Sequence, residues 1–343
     1  MRLYWSAMAS IFFLISNYNY LFYKDIFLDL PNKKAHTTIF GGSMNRNQFL
    51  GHSFAVIVIL FWGLTFVSCK VLLKDFTPVE ILFDRFVLAT LCLLILSPFA
   101  LKFISFKVEL YSALAGFFGV TIYFVFENNA LVYSNASNVS LIVSTTPLFV
   151  AIFDKMFNKG LTLSKNFILG FILAMTGIAS LSFNSIKLEL NPLGDLLALG
   201  CAIVWGFYNI FVCKVQKRNI KTLVITIKSF FYAVLQTVVL MMIEGYELKM
   251  DCLLKEVNIV NYLFLVVFAS SLSFLLWNKA IEYIGSVKTN VYIYAVPVVT
   301  TVSAVLIIDE TITEYTLLGM VLAISGLVIS QLKIKSVKTN KQP

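Results

Sequence analysis

The sequence predicts an all-α integral membrane protein, with ten transmembrane helices arranged as two inverted five-helix repeats. Three observations carry this expectation. The first is composition: of 343 residues, 59% are hydrophobic and only 13% charged, and the mean hydropathy is +0.86. Soluble domains carry roughly 25% charged residues, and no single water-soluble core hides this much apolar surface, so a bilayer is the expected solvent. The second is a series of ten apolar runs, each near the roughly 20 residues that a spanning helix needs. They fall at 50–73, 78–101, 109–133, 135–157 and 163–183, then at 195–215, 222–245, 257–283, 286–308 and 314–332. The third is a duplication of landmarks in one order along the chain.

Trp62-Gly63, followed shortly by Cys69-Lys70, returns as Trp205-Gly206 followed by Cys213-Lys214. Arg85 returns as Lys228 at the offset of the tryptophans. Ala130, Tyr133 and Pro147 return as Ala280, Tyr283 and Pro297 at one common offset, and Gly170 and Gly177 return as Gly319 and Gly326. Five spans per half is an odd number, so the second half must insert upside down relative to the first. Two related halves of opposed topology can rock about a shared midplane site, which is the logic of a secondary transporter.

Taken in order, residues 1–44 stand outside the repeat. Tyr4 to Tyr23 is apolar but interrupted by Ser16, Asn17 and Asn19. Three readings are open: an extra span, a signal-like segment without a clean small-residue cleavage site, or residues upstream of a true start at Met44. Met44-Asn45-Arg46, a short basic lead directly before the first span, favours the third. Residues 45–184 form the first repeat, in which Thr77 can cap a helix started by Pro78. Residues 185–194, with Asn191-Pro192, are the connecting loop. Residues 195–332 form the second repeat, and 333–343 are a basic cytoplasmic tail.

The basic residues follow the same topology. With the first span starting in the cytoplasm, sixteen fall on the inward side, from Arg46 through Lys102, Lys155, Lys217 and Lys279 to Lys333, Lys335, Lys338 and Lys341. Five, Lys70, Lys74, Lys187, Lys249 and Lys255, fall outside. This is the asymmetry that the positive-inside rule requires. It places the protein in a plasma (bacterial inner) membrane with both termini cytoplasmic. The net charge of +9 is therefore loop charge and no sign of nucleic acid.

On these residues the chain resembles the drug/metabolite transporter superfamily, and specifically its EamA-type ten-helix permeases. The matching residues are Phe61-Trp62-Gly63-Leu64-Thr65-Phe66, Arg85-Phe86, Glu127-Asn128-Asn129-Ala130-Leu131 and Ser144-Thr145-Thr146-Pro147-Leu148-Phe149. In the second half they are Trp205-Gly206, Trp277-Asn278-Lys279-Ala280, Pro297-Val298-Val299 and Asp309-Glu310-Thr311-Ile312-Thr313 ahead of Gly319. The resemblance covers about residues 50–332. It implies a central cavity lined mainly by the first four helices of each repeat, and transport of small metabolites such as amino acids or related compounds. Two departures sit at span ends: Lys159-Gly160-Leu161-Thr162 where Gly-Glu-x-Leu-Thr is usual, and Asp309 where that Gly is usual.

Arg85 is the sharpest candidate for the transport path. It lies about seven residues, or roughly 10 Å, into its span, where an ionised side chain costs on the order of 2.5–3.5 kcal/mol and needs a partner or a wet cavity. It reads either as an anion-holding or gating charge or as half of a structural ion pair. Lys228, its repeat mate, reads as a second basic group or as a lysine snorkelling to water. Glu127, followed by Asn128, is a candidate proton-linked carboxylate or an interfacial one. Asn138 and Asn290 stand near the starts of corresponding spans, where amides bind solute or cap helix ends. Pro147 and Pro297 are mid-span kinks on either side of a pseudo-axis. Gly170, Gly177, Gly319 and Gly326 permit close helix packing. Trp62, Trp205, Tyr208, Trp277, Asn278 and Tyr294 complete the expected path, with interfacial anchoring as the alternative for the rings.

The five cysteines are odd in number and none stand at CxxC spacing; His36 and His52 are the only histidines. HExxH, Walker and GxSxG motifs are absent from the sequence, so no metal, cofactor or enzymatic activity is expected. The expected partners are the bilayer, a small-molecule solute and protons as a candidate coupling ion. The alternative classes are a non-transporting membrane sensor or assembly protein, for which the short loops leave no sensory domain, and a membrane-embedded lipid-modifying enzyme, for which the polar cluster is missing. The sequence specifies no oligomeric state.

Overall fold

Helix caps written into the sequence set where the elements begin. In a computed structural model of the chain, residues 36–39, 42–134, 136–158, 164–183, 191–245, 249–308 and 314–332 are described. Tyr4–Tyr23, the tail 333–343 and both family departures lie outside the described residues. A short antiparallel hairpin comes first, β1 (His36–Ile39) and β2 (Gly42–Asn45), in register from His36 opposite Asn45 to Ile39 opposite Gly42. Every described element after it is helical, in keeping with the all-α expectation.

Helix α1 (Arg46–Leu72) follows, capped by Asn45, whose side chain accepts from the Gln48 N–H at 2.8 Å. Helix α2 (Pro78–Leu96) starts with a capping box: the Glu80 carboxylate accepts from the Thr77 N–H at 2.8 Å and the Thr77 hydroxyl from the Glu80 N–H at 3.2 Å. It ends five residues short of the expected 101, because Pro98 disfavours helix at the residue before it. Helix α3 (Phe106–Gly116) runs into a π-helical segment (Phe117–Thr121) and then α4 (Ile122–Tyr133). The expected span 135–157 is two helices, α5 (Ala136–Val143) and α6 (Thr146–Asn158), and α7 (Lys165–Phe183) closes this stretch.

Helix α8 (Pro192–Gln216) is capped by Asn191, whose side chain accepts from the N–H groups of Leu193 and Gly194. Its first turn takes up residues 192–194 of the expected linker, as Pro at the first helical position prescribes. Then come α9 (Thr222–Glu244), the single turn α10 (Met250–Leu253), α11 (Glu256–Leu263), a nine-residue π-helical segment (Phe264–Leu272) and α12 (Ser273–Ile284). The expected span 286–308 is divided into α13 (Ser286–Asn290), a 3-10 turn (Val291–Ala295) and α14 (Val296–Ile308), and α15 (Glu314–Gln331) is last.

Among the described residues, six stretches are helical, long and apolar enough to cross a membrane: Arg46–Leu72, Phe106–Tyr133, Val139–Phe157, Pro192–Gln216, Thr222–Glu244 and Glu256–Ile284, with shorter apolar helices over Lys165–Gly177 and Leu317–Gln331. Helix α2 is of spanning length at 19 residues but carries Glu80, Asp84 and Arg85. The early and late parts of the chain interlace. Helix α1 packs on α12 and α14, α2 on α9 and the second π segment, and α8 on α3, α4 and α6. Helices α7 and α15 meet along their glycines: a Cβ at Gly170 would stand 2.5 Å from the Gly326 carbonyl oxygen, and one at Gly177 would stand 2.6 Å from that of Gly319. Only backbones without side chains approach this closely.

Candidate functional site: an aromatic cavity with two charged groups

Trp62 on α1, Arg85 on α2, Tyr123, Phe124 and Glu127 on α4, Trp205 on α8 and Phe274 on α12 border one internal cavity. Thr65, Phe66, Val143, Thr146, Ile293 and Val296 complete its wall. Its walls are largely aromatic. The Trp62 ring is 5.3 Å from Trp205, edge to face, and 4.7 Å from Trp277. Trp205 lies 5.0 Å from Tyr123 and 4.6 Å from Tyr208. Phe274 packs against Trp62, Phe86, Phe124, Trp205 and Phe230. Such offset and edge-on ring contacts hold the wall rigid.

Two ionisable groups break this apolar surface. The Arg85 guanidinium lies 4.4 Å above the Phe124 ring and 5.2 Å from Phe86. A desolvated contact of this kind is worth about 2 kcal/mol. Arg85 Nε donates to the Ser270 hydroxyl at 2.5 Å, whereas both Nη atoms are buried and without a hydrogen-bond partner. The Glu127 carboxyl is within hydrogen-bonding reach of the Tyr123 hydroxyl, and its Oε1 is buried and unpartnered. The cavity thus offers a fixed pair of charge-assisted donors and one carboxylate acceptor, set in an aromatic cage.

The second π segment supports this arrangement. It supplies Ser270 to Arg85, and its Ala269 carbonyl accepts from Trp62 Nε1 at 3.1 Å. Ser271 and Ser273 turn their hydroxyls back to the carbonyls five residues earlier, Val266 and Phe268. π-helical turns recur at functional sites because they re-aim side chains within an otherwise regular helix.

The other sequence candidates are placed as follows. Lys228 does not reach the cavity and does not snorkel. Its ammonium donates to both carboxylate oxygens of Glu109, at 2.8 and 2.9 Å, and to the Lys102 carbonyl at 2.9 Å. Glu109 also accepts from the Tyr232 hydroxyl and the Ile104 N–H. Asn128 donates to the Pro78 carbonyl, tying α4 to the start of α2. Tyr208 donates to Asn278, which donates in turn to Thr226. Trp205 Nε1 donates to Asn290, whose amide reaches Asn209. These pairs lie behind the cavity wall and hold it. Trp277 is fully buried behind Trp62, and Tyr294 is buried between α7 and α15. The side chain of Asn138 lies outside the described residues. Pro147 and Pro297 each occupy the second position of a restarted helix, after the turn at Ser144–Thr145 and after the 3-10 turn. The chain breaks and begins again instead of kinking, which removes the clash that a mid-helix proline would cause.

Sequence reasoning missed Ser270, Tyr123, Phe124 and Phe274. Ser270 sits in an apolar run where a serine carries no signal of its own, and the three rings are indistinguishable from packing residues until the fold aims them. Among the described residues, no group of three or more His, Cys, Asp or Glu side chains could hold a metal ion.

The model of the EamA-like transporter family matches the chain twice, over residues 49–183 and 192–331. The chain belongs to this family of multi-pass membrane transporters. It is 24% identical over 298 residues to a protein of Archaeoglobus fulgidus named "Uncharacterized transporter", covering 82% of this chain and 97% of that protein. It is 26% identical over 291 residues to an Escherichia coli protein named "Probable amino-acid metabolite efflux pump", covering 80% and 93%. A solved crystal structure shares the fold at a TM-score of 0.65 and 17% identity, over 82% of this chain and 96% of that one.

Proposed function

We propose that this chain is a secondary transporter that moves a small amino-acid-like metabolite across the membrane by alternating access, with Glu127 as a proton-linked group. The observation that carries the reading is that both Nη atoms of Arg85 and Oε1 of Glu127 are buried, unpartnered and border one cavity. A guanidinium fork suits a carboxylate, a carboxylate suits an ammonium, and the aromatic cage suits an apolar side chain. Solute binding would supply hydrogen bonds to Arg85 Nη1 and Nη2 and to Glu127 Oε1. The name of the E. coli relative supports both the amino-acid class and outward transport.

The architecture in this proposal is ten spans in two inverted five-helix repeats, with both termini in the cytoplasm of a bacterial inner membrane. Three features support it: the doubled family match, the helix restarts at Pro147 and Pro297, and the π segments before α4 and before α12. The charge asymmetry of the loops supports the orientation. Because the cavity takes walls from both matched stretches, relative rocking of the two would open it to either side.

The test is uptake of amino acids into proteoliposomes. Arg85→Gln is expected to lower flux about a hundredfold, as losing charge-assisted hydrogen bonds worth about 1.5–3 kcal/mol each implies, with insertion intact. Normal flux would remove Arg85 from the site.

A further inference from the structure

Outside the cavity, Phe207, Phe211, Lys214 and Arg218 recur along α8 and the turn after it at the spacing of one helix face. This face meets α3 and the first π segment. The Phe118 ring stacks on Phe207 at 5.1 Å and lies parallel to Phe211, 5.8 Å away at 8°. Tyr111 extends the wall, 6.1 Å from Phe211. At its end the Lys214 ammonium stands 5.3 Å from the Tyr111 ring and 5.2 Å from Phe211, and the Arg218 guanidinium stands 5.7 Å from the same Tyr111 ring.

Two cations thus converge on one ring. Among the described residues, neither has a carboxylate within ion-pair distance. The acid nearest in sequence to Tyr111, Glu109, is consumed by Lys228 and Tyr232. Like charges held together without a counter-charge repel, and a ring face offsets only about 0.5–1 kcal/mol per exposed cation. An anion between them would reverse the sign of the interaction.

The surroundings say what kind of anion. Along α3 and at the start of the π segment after it, Phe106, Leu110 and Phe117 are exposed, so the wall opens onto the apolar surface of the molecule. Helix α8 has 25 residues, about 37 Å at 1.5 Å per residue, which puts its last turn at the level of the lipid headgroups. We propose that the α3–α8 seam binds an anionic phospholipid, its phosphodiester between Lys214 and Arg218 and an acyl chain along Phe211, Phe118 and Phe207. The seam joins the two family-matched stretches, so the lipid bridges them.

The full chain in detergent is titrated with phosphatidylglycerol and with phosphatidylcholine of the same acyl chains, and bound lipid is counted by native mass spectrometry. The expected result is a preference for phosphatidylglycerol of about 30-fold, from two basic groups near 1 kcal/mol each. Lys214→Gln with Arg218→Gln should erase it. Lys165→Gln with Lys221→Gln, which removes the same charge elsewhere, should keep it, as should the charge-preserving pair Lys214→Arg and Arg218→Lys. Equal retention of the two lipids by the unaltered chain overturns the proposal, and so does an undiminished preference in the Gln pair. Displacement of the lipid by equimolar glycerophosphate would mark a free-phosphate site and overturn it too.

Discussion

Arg85 Nε donates to the Ser270 hydroxyl at 2.5 Å, so a residue of the second family-matched stretch fixes the plane of a guanidinium carried by the first. The bond spends the one donor that points along the side chain and leaves the two Nη atoms free at the cavity. Any movement of one stretch against the other must stretch or break it. Ser270→Ala is expected to weaken solute binding about tenfold, the effect of one lost hydrogen bond to a charged group. Ser270→Thr keeps the hydroxyl and should restore binding. Binding is read by titration calorimetry on the purified protein. Wild-type affinity in Ser270→Ala would show that Arg85 holds its pose without it.

Glu127 and Arg85 border the same cavity without a hydrogen bond or ion pair between them. In the proposed transport cycle the Glu127 carboxyl exchanges its proton for solute. Glu127→Gln is expected to make flux insensitive to an imposed pH gradient while solute counterflow continues. Retention of full gradient-driven transport would remove Glu127 from coupling.

The Lys228–Glu109 pair is buried, with side-chain exposures of 2% and 11%. Lys228→Met strands the carboxylate and is expected to cost about 3–5 kcal/mol. Adding Glu109→Gln removes the stranded charge and should recover most of the loss. Thermal unfolding in detergent reads both. A neutral Lys228→Met would mean that water reaches Glu109.

Outside the spans, Asp75 accepts from Lys255 at 2.6 Å and from Asn258 at 2.7 Å. These bonds, led by that from Lys255, hold the Asp75 carboxyl below the usual carboxylate range and push the Lys255 ammonium above its ordinary value. The depressed acid contributes stability above its unfolded pKa that is lost as pH falls through the folded one. The raised base contributes below its own unfolded pKa and loses it as pH rises through the folded one. The contact is thus fully made at neutral pH and fails first in acid. Protection of the Lys255–Asn258 amides from hydrogen exchange, corrected for the intrinsic rate at each pH, should fall as pH drops below the usual carboxylate range, and Asp75→Asn should flatten that fall.

Much of this was legible in the sequence for plain reasons. Thr77-Pro78 and Asn191-Pro192 announce helix starts, and a lone Arg85 in an apolar run announces a wet or paired position. The paired glycines announce a close helix contact. What could not be read is what depends on distant partners. Lys228 looks the same whether it faces a cavity or Glu109, and only the fold brings residue 109 to residue 228. The π segments have no compositional mark, and the prolines show that a helix is disturbed without saying whether it bends or stops.

The charges of α2 have a consequence for how the protein is made. Glu80, Asp84 and Arg85 find Lys249, Tyr262 and Ser270, which lie 169, 178 and 185 residues further along the chain. While the ribosome is still working through that interval, α2 has none of these partners. It must then wait at the insertion machinery or in a hydrated defect, and it settles only when the segment 249–270 arrives. Chains that stop before that segment should be seen by quality control as incompletely inserted at α2.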